Sequence, residues 1–337
     1  MISYSKPAYY DSFRCLAGAC PDSCCKEWDI LVDSVAAAFY RSVPADLGQR
    51  LRQVLTEDED GNTIMAIENG RCPMWRQDGL CRIQAELGED ALCQVCKDFP
   101  RLRHDYGDFV ELGLELSCPE AAKHILSSKP QNWICWHEQG EQTPEYDQEA
   151  MAILRNTRSE AVALLWDAQY SVPESLALLL LFAYEVQSRL DGEAPQKFLP
   201  EQSLTSARTF AGAADITALL RFYQELEVLT GSWKERLENP EPGHWSQIFR
   251  SMAVYFVERY WLQAVSDYDL LSRVKLAVAS CILVKNLGGN PLETAQLYSK
   301  EIENSIENVD AILDSAYTHP AFTDTALLGL LFNQEKM

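Results

Sequence analysis

Residues Ser175–Val186 read SLALLLLFAYEV, and this run decides the fold class of the second half of the chain. Pro173 stands where the first turn of a helix tolerates it, so the spacing predicts a helix from there to about Leu190. That helix is apolar nearly all round and must therefore be buried. The run falls short of the roughly 20 apolar residues needed to cross a bilayer. Working outward, Ala150–Ala168 carries apolar residues at helical steps, and further helices are expected at Leu204–Leu226, Trp245–Leu262 and Leu270–Leu287. In the last of these, Leu271, Val274, Val278, Cys281 and Ile282 form a stripe, and Gly288-Gly289 ends it. Pro291–Ser305 and Glu307–Tyr317 close the set. Strands do not alternate with helices here, and nothing repeats at a fixed period, so residues 150–337 read as an α-helical domain.

The first 128 residues read differently. Turn signals at Cys20-Pro21-Asp22, Asn69-Gly70 and Asp78-Gly79 separate short helical stretches such as Asp33–Tyr40 and Asp46–Leu55. The run Glu57-Asp58-Glu59-Asp60-Gly61-Asn62 lacks the full ligand spacing of a calcium loop, which makes it a solvated turn leading into a hairpin. A connector, residues 129–149, opens with Lys129-Pro130 and stays polar from Glu138 to Gln148. The expected architecture is mainly α, with a cysteine-rich metal-binding amino-terminal region ahead of the α-helical domain.

The net charge of −21 and pI near 4.6 argue against a nucleic-acid partner, because such a surface repels phosphate backbones. An acidic surface keeps a protein in solution and also suits a basic substrate such as a lysine-bearing protein. The opening MISYSKPAYYDSF has no apolar stretch of signal-peptide type, and no segment reads as a membrane span; the expected location is the cytoplasm. Thiols stay reduced there, so dense cysteines point to metal or redox chemistry.

Nine of the eleven cysteines fall between Cys15 and Cys118, leaving Cys135 and Cys281 apart as small buried hydrophobes. Four, Cys15, Cys20, Cys24 and Cys25, lie within eleven residues and can converge at low entropic cost. Cys72, Cys81, Cys96 and Cys118 can complete that centre or make a second one. Thiolates suit zinc and iron–sulfur clusters. A usual zinc site shows two CxxC knuckles, whereas only Cys93–Cys96 has that form here, which favours iron–sulfur (a 4Fe-4S cluster first) and leaves zinc as the rival.

The segment Tyr10–Cys25, YDSFRCLAGACPDSCC, followed by Lys26-Glu27-Trp28-Asp29-Ile30, resembles the start of the flagellin lysine N-methylase family. The resemblance continues through Cys72-Pro73-Met74, Gly79-Leu80-Cys81-Arg82-Ile83, Cys96-Lys97-Asp98-Phe99-Pro100-Arg101 and Leu116-Ser117-Cys118-Pro119-Glu120. It returns late, in Asp269–Ala277 and Tyr298–Asn308, so it touches both ends of the chain. The cysteine signatures are specific and the helical ones weaker. That family belongs to a wider group whose CxxCxxCC-like motifs chelate zinc or iron. The resemblance carries the ligand role to Cys15, Cys20, Cys24, Cys25, Cys72, Cys81, Cys96 and Cys118; Cys93 matches no ligand position of the pattern. It implies methyl transfer from S-adenosylmethionine to lysine side chains of flagellin.

Two absences bear on that implication. No G-x-G occurs, so a Rossmann-type cofactor turn is missing, and the expected enzyme is a non-Rossmann methyltransferase. The CxxxCxxC triplet of radical enzymes is missing too: Cys20–Cys24 has its first spacing, but Cys25 is adjacent. Cluster-assisted transfer on an unconventional scaffold is the expectation, with a non-catalytic metal-binding module or metal chaperone as the alternative. The acceptor amine must be neutral to attack a methyl group, by desolvation or through a carboxylate or tyrosine base. Tyr9, Tyr10, Glu115 and Glu120 lie near cysteines in sequence, but nothing singles out one of them. The five histidines, His104, His124, His137, His244 and His319, form no ligand-like pair. Arg259 and Arg273 sit in apolar helices and, if inward, need partners such as Glu258 or Asp269.

Overall fold

The computed structural model describes all residues except 27, 130–132, 141, 142, 145, 214 and 334–337. Glu27 of the quoted motif and Pro130 of the expected connector turn lie outside the described residues. Among the described residues seven strands appear in chain order: β1 (Ile2–Pro7), β2 (Ile30–Leu31), β3 (Leu55–Glu57), β4 (Thr63–Met65), β5 (Arg101–Asp105), β6 (Phe109–Leu114) and β7 (Trp133–Glu138). Helices dominate, fifteen among the described residues, as the sequence predicts.

The chain divides into two compact units: Phe13–Leu102 with Cys118–Ala121, and a helical unit made of Met1–Ser12, Arg103–Ser117 and everything from Ala122 onward. These units do not follow the sequence boundaries at 128 and 149. The reason is the strand pairing: β1 and β6, far apart in the chain, are neighbours in one sheet.

In the cysteine-bearing unit, β2, β4 and β3 form a small antiparallel sheet in that order, with Ile30 opposite Met65 and Leu55 opposite Met65 on its other side. The expected hairpin is β3–β4, and its acidic turn is held by Asp58, which accepts from the amides of Asp60 and Asn62. Helices α1 (Ser34–Ser42), α2 (Ala45–Val54), α3 (Arg82–Leu87) and α4 (Gln94–Asp98) complete the unit, with the first turn of α5 (Pro119–Ser127). Asp33 caps α1 by accepting from Ala36 at 2.9 Å, while its other oxygen takes the Gln94 amide that opens α4. Tyr40, Leu47, Leu51, Met65 and Met74 form the core, which also includes Cys72 and Cys93.

The helical unit holds a mixed sheet in the order β5-β6-β1-β7. β1 runs parallel to β6 (Ser3 opposite Phe109) and antiparallel to β7 (Tyr4 opposite Trp136). This sheet is absent from the sequence reading, which treats 129–149 as connector. Its strands are short and come from distant segments, so no local pattern announces them. The helices are α6 (Gln148–Trp166), α7 (Val172–Leu190), α8 (Pro200–Phe210), α9 (Thr217–Glu225), α10 (Gly231–Glu238), α11 (Gln247–Tyr260), α12 (Leu270–Leu287), α13 (Pro291–Ile302), α14 (Ile306–Ser315) and α15 (Asp324–Phe332).

α7 is buried as expected, and Ser171 with Glu174 forms its capping box. The single helix expected over Leu204–Leu226 is broken into α8 and α9. The Gly212 amide there is taken by the Thr325 carbonyl at 2.9 Å, and a Cβ on Gly212 would sit 2.8 Å from Thr325 Cγ2. The stripe expected along α12 is also superseded, because all eighteen of its residues are buried. Its cations survive burial by pairing: Arg273 with Asp267 at 2.8 Å, and Lys275 with the Ala316 carbonyl at 3.0 Å.

Candidate functional site

All eight cysteines singled out by sequence, and Cys93 as well, fall in the cysteine-bearing unit; Cys135 and Cys281 fall in the other, where Cys281 is buried as expected and Cys135, on the strand β7, is exposed instead. None of the eleven is in a disulfide. Two loops bring the first group together. The turn at Leu16–Cys20 packs on the turn at Arg76–Leu80 so closely that a Cβ on Gly18 would lie 2.8 Å from the Asp78 carbonyl. Gly79 has φ +80 and would set a Cβ 3.2 Å from Gly18 Cα, so both positions need glycine. Beside them the Cys72 amide donates to the Cys25 carbonyl at 2.8 Å, pinning the CC pair to the Cys72 segment.

Helix starts supply a second positioning device. Cys81 and Cys93 precede α3 and α4, and Cys118 precedes α5. Amides of Ile83 and Gln84 hydrogen-bond the Cys81 sulfur, and those of Glu120 and Ala121 the Cys118 sulfur. Such donors stabilise thiolate. Burial nevertheless wins: it pushes the thiols of Cys72 and Cys118 up to about 11 and raises Cys81.

The thiols share two neighbourhoods. Cys15, Cys20 and Cys118 lie close enough for a charge on one to raise another, and Cys24, Cys72, Cys81, Cys93 and Cys96 do the same. Cys24 belongs to both, since it also bears on Cys20; Cys25 bears on Cys96. A hydrogen bond between the Cys93 and Cys96 thiols lowers Cys93 to about 7 and raises Cys96. The structure thus seats Cys93 among the thiols, although the sequence pattern sets it aside. Its signal was the CxxC spacing to Cys96. Among the described residues no three His, Cys, Asp or Glu side chains stand at metal-holding geometry. The donor set fits a soft cation in its chemistry, with up to six thiols in one neighbourhood and amide donors at their sulfurs.

The other candidates lie elsewhere. Arg259 is inward, but its carboxylates are Glu303 at 3.3 Å and Glu115 at 3.8 Å rather than Glu258, with Tyr255 Oη at 2.6 Å. Arg273 meets the Asp267 carboxylate and only the carbonyl of Asp269. Burial raises Glu115. Tyr10 lies in a short turn with Lys6 Nζ 5.7 Å from its ring, and Glu120 sits in the first turn of α5. His319 caps a turn by accepting from the Ala321 amide, while burial lowers His104. Sequence reasoning passed over Arg158, whose two Nη groups reach both oxygens of Glu111 at 2.6 and 2.7 Å. It also passed over the burial of Glu258, which raises that carboxyl to about 7.

No protein-family profile matches the chain, and no solved structure does. Over 138 residues the chain is 33% identical to the flagellar biosynthetic protein FliU of Salmonella muenchen, an alignment covering 37% of this chain and 78% of FliU. Over 132 residues it is 33% identical to the lysine-N-methylases of Salmonella typhimurium and Salmonella choleraesuis. Those alignments cover 37% of this chain and 33% of each relative, so the match spans a third of their length.

Proposed function

Because the chain belongs to the flagellin lysine N-methylase family, we propose that it transfers methyl groups from S-adenosylmethionine to lysine side chains of flagellin, in the cytoplasm. The observation that carries this reading is the 33% identity over 78% of FliU, joined by relatives named for lysine methylation. The acidic net charge of −21 suits a lysine-bearing substrate. No described helix is long and apolar enough to cross a membrane.

The same reading assigns a resident metal centre to the cysteine-bearing unit, held by Cys15, Cys20, Cys24, Cys25, Cys72, Cys81, Cys96 and Cys118, with Cys93 in their midst. An iron–sulfur cluster with one open iron would offer a Lewis-acidic position for amino and carboxylate groups. Zinc would instead staple the fold. The burial of Cys72 and Cys93 in the unit's core favours a structural contribution in either case and keeps a non-catalytic metal module as the second reading.

Purification without oxygen, followed by visible spectrum, iron, sulfide and zinc, separates the two. A brown protein with stoichiometric iron and sulfide is expected; a colourless zinc protein overturns the cluster. Reduced protein incubated with methyl-labelled S-adenosylmethionine and unmodified flagellin should place label on lysine. Absence of label with the centre intact rejects the methyltransferase reading.

A further inference from the structure

Inside the helical unit, a narrow crevice opens beside α11. Tyr255 and Glu258, three residues apart, present one face of that helix to it. Tyr9, just after β1, and Trp166, the last residue of α6, form the facing walls, with Lys129 also on the lining. About 20 Å³ of space is open to a water-sized group, enough for an ammonium head and little more. We propose that this crevice receives the side-chain ammonium of the acceptor lysine and that Glu258 takes its proton; the inference rests on the methyltransferase reading above.

Three aromatic side chains and one carboxylate are the chemistry that recognises ammonium and methylammonium groups. Of the cations near Glu258, two are committed to other carboxylates, and Lys129 lines the same crevice. Arg158 on α6 is the neighbouring cation, but its guanidinium is committed to Glu111 on β6 by two bonds. Arg259, the next residue, is committed to Glu303 and Tyr255. Trp133 on β7 donates to the Glu258 carboxylate, and Tyr9 feels its charge.

Burial, aided by the charge of Glu111 and opposed by Arg158, sets the Glu258 carboxyl at about 7, where a general base works best near neutral pH. In the step, the lysine N–H bond breaks and its proton passes to a Glu258 oxygen. The freed nitrogen pair then forms the N–CH₃ bond to a methyl sulfonium donor. The C–S bond breaks with its electrons going to sulfur, which leaves as a neutral thioether.

The first test needs no methyl transfer. n-Butylammonium, a lysine side-chain mimic, is titrated into the wild-type chain and followed at the indole N–H resonance of Trp166, identified by its loss in Trp166→Phe. A saturable shift that disappears in Glu258→Gln is expected; no shift in the wild type overturns the proposal. The second test is kinetic. Glu258→Gln should lower kcat by about 10²–10⁴-fold and remove the rise of kcat/KM with pH through about 7. Retention of both rate and pH limb overturns it, while labelled flagellin in that variant leaves the methyltransferase reading intact. Conversely, n-butylammonium binding without any methyl transfer in the wild type rejects that reading and keeps the ammonium site.

Discussion

In the cysteine-bearing unit the buried ionisable groups are thiols with other thiols for neighbours. In the helical unit they are arginines and lysines seated against carboxylates and carbonyls. Arg158 with Glu111, and Arg259 with Glu303, neutralise themselves from within. At Cys72 and Cys118 every neighbouring thiolate raises the thiol, and backbone amides oppose that only in part. Thiols held protonated by burial become a cluster of charges only when a cation displaces their protons, whereas charges already paired need nothing added. On the proposed reading, the cysteine-bearing unit is the one that a bound ion would complete, whereas Arg158 and Arg259 already meet carboxylates within the helical unit.

The sharpest way to break this contrast is to remove the shared thiol. Cys24→Ser should abolish stoichiometric metal and loosen the cysteine-bearing unit, seen as protease cleavage between Phe13 and Leu102 with the helical unit preserved. Cleavage spreading through both units alike would erase the distinction. Next, Arg158→Met should destabilise the helical unit by about 3–5 kcal/mol, because it leaves Glu111 buried without its cation. The double change Arg158→Met/Glu111→Leu should recover most of that loss in denaturant titrations. A milder effect is expected from Glu258. Its carboxyl binds its proton more tightly folded than unfolded, so it costs stability as pH rises from 4.5 to about 7 and the cost is constant above. Glu258→Gln should therefore gain stability over wild type at pH 8 and lose that advantage near pH 4. Removing the cap in Asp33→Ala should cost the smaller unit about 1 kcal/mol. Last, Lys234→Ala should change stability by less than about 0.5 kcal/mol, since its pair with Glu238 is 3.9 Å apart and exposed.

The sequence by itself determined the mainly helical class, the buried α7, the ends of α12, and the concentration of thiols in the first third, because each depends on residues close together in the chain. Hydrophobic period, caps and prolines act within a few residues, so they are legible without a structure. Only the tertiary structure decided the sheet of β1, β5, β6 and β7, the place of Cys93 among the thiols, and the partners of Arg158 and Arg259. These depend on pairings across dozens to more than a hundred residues. Glu258 shows the reason most plainly: one carboxylate on an ordinary helix becomes chemically distinct only through the burial and the charges that distant segments bring to it.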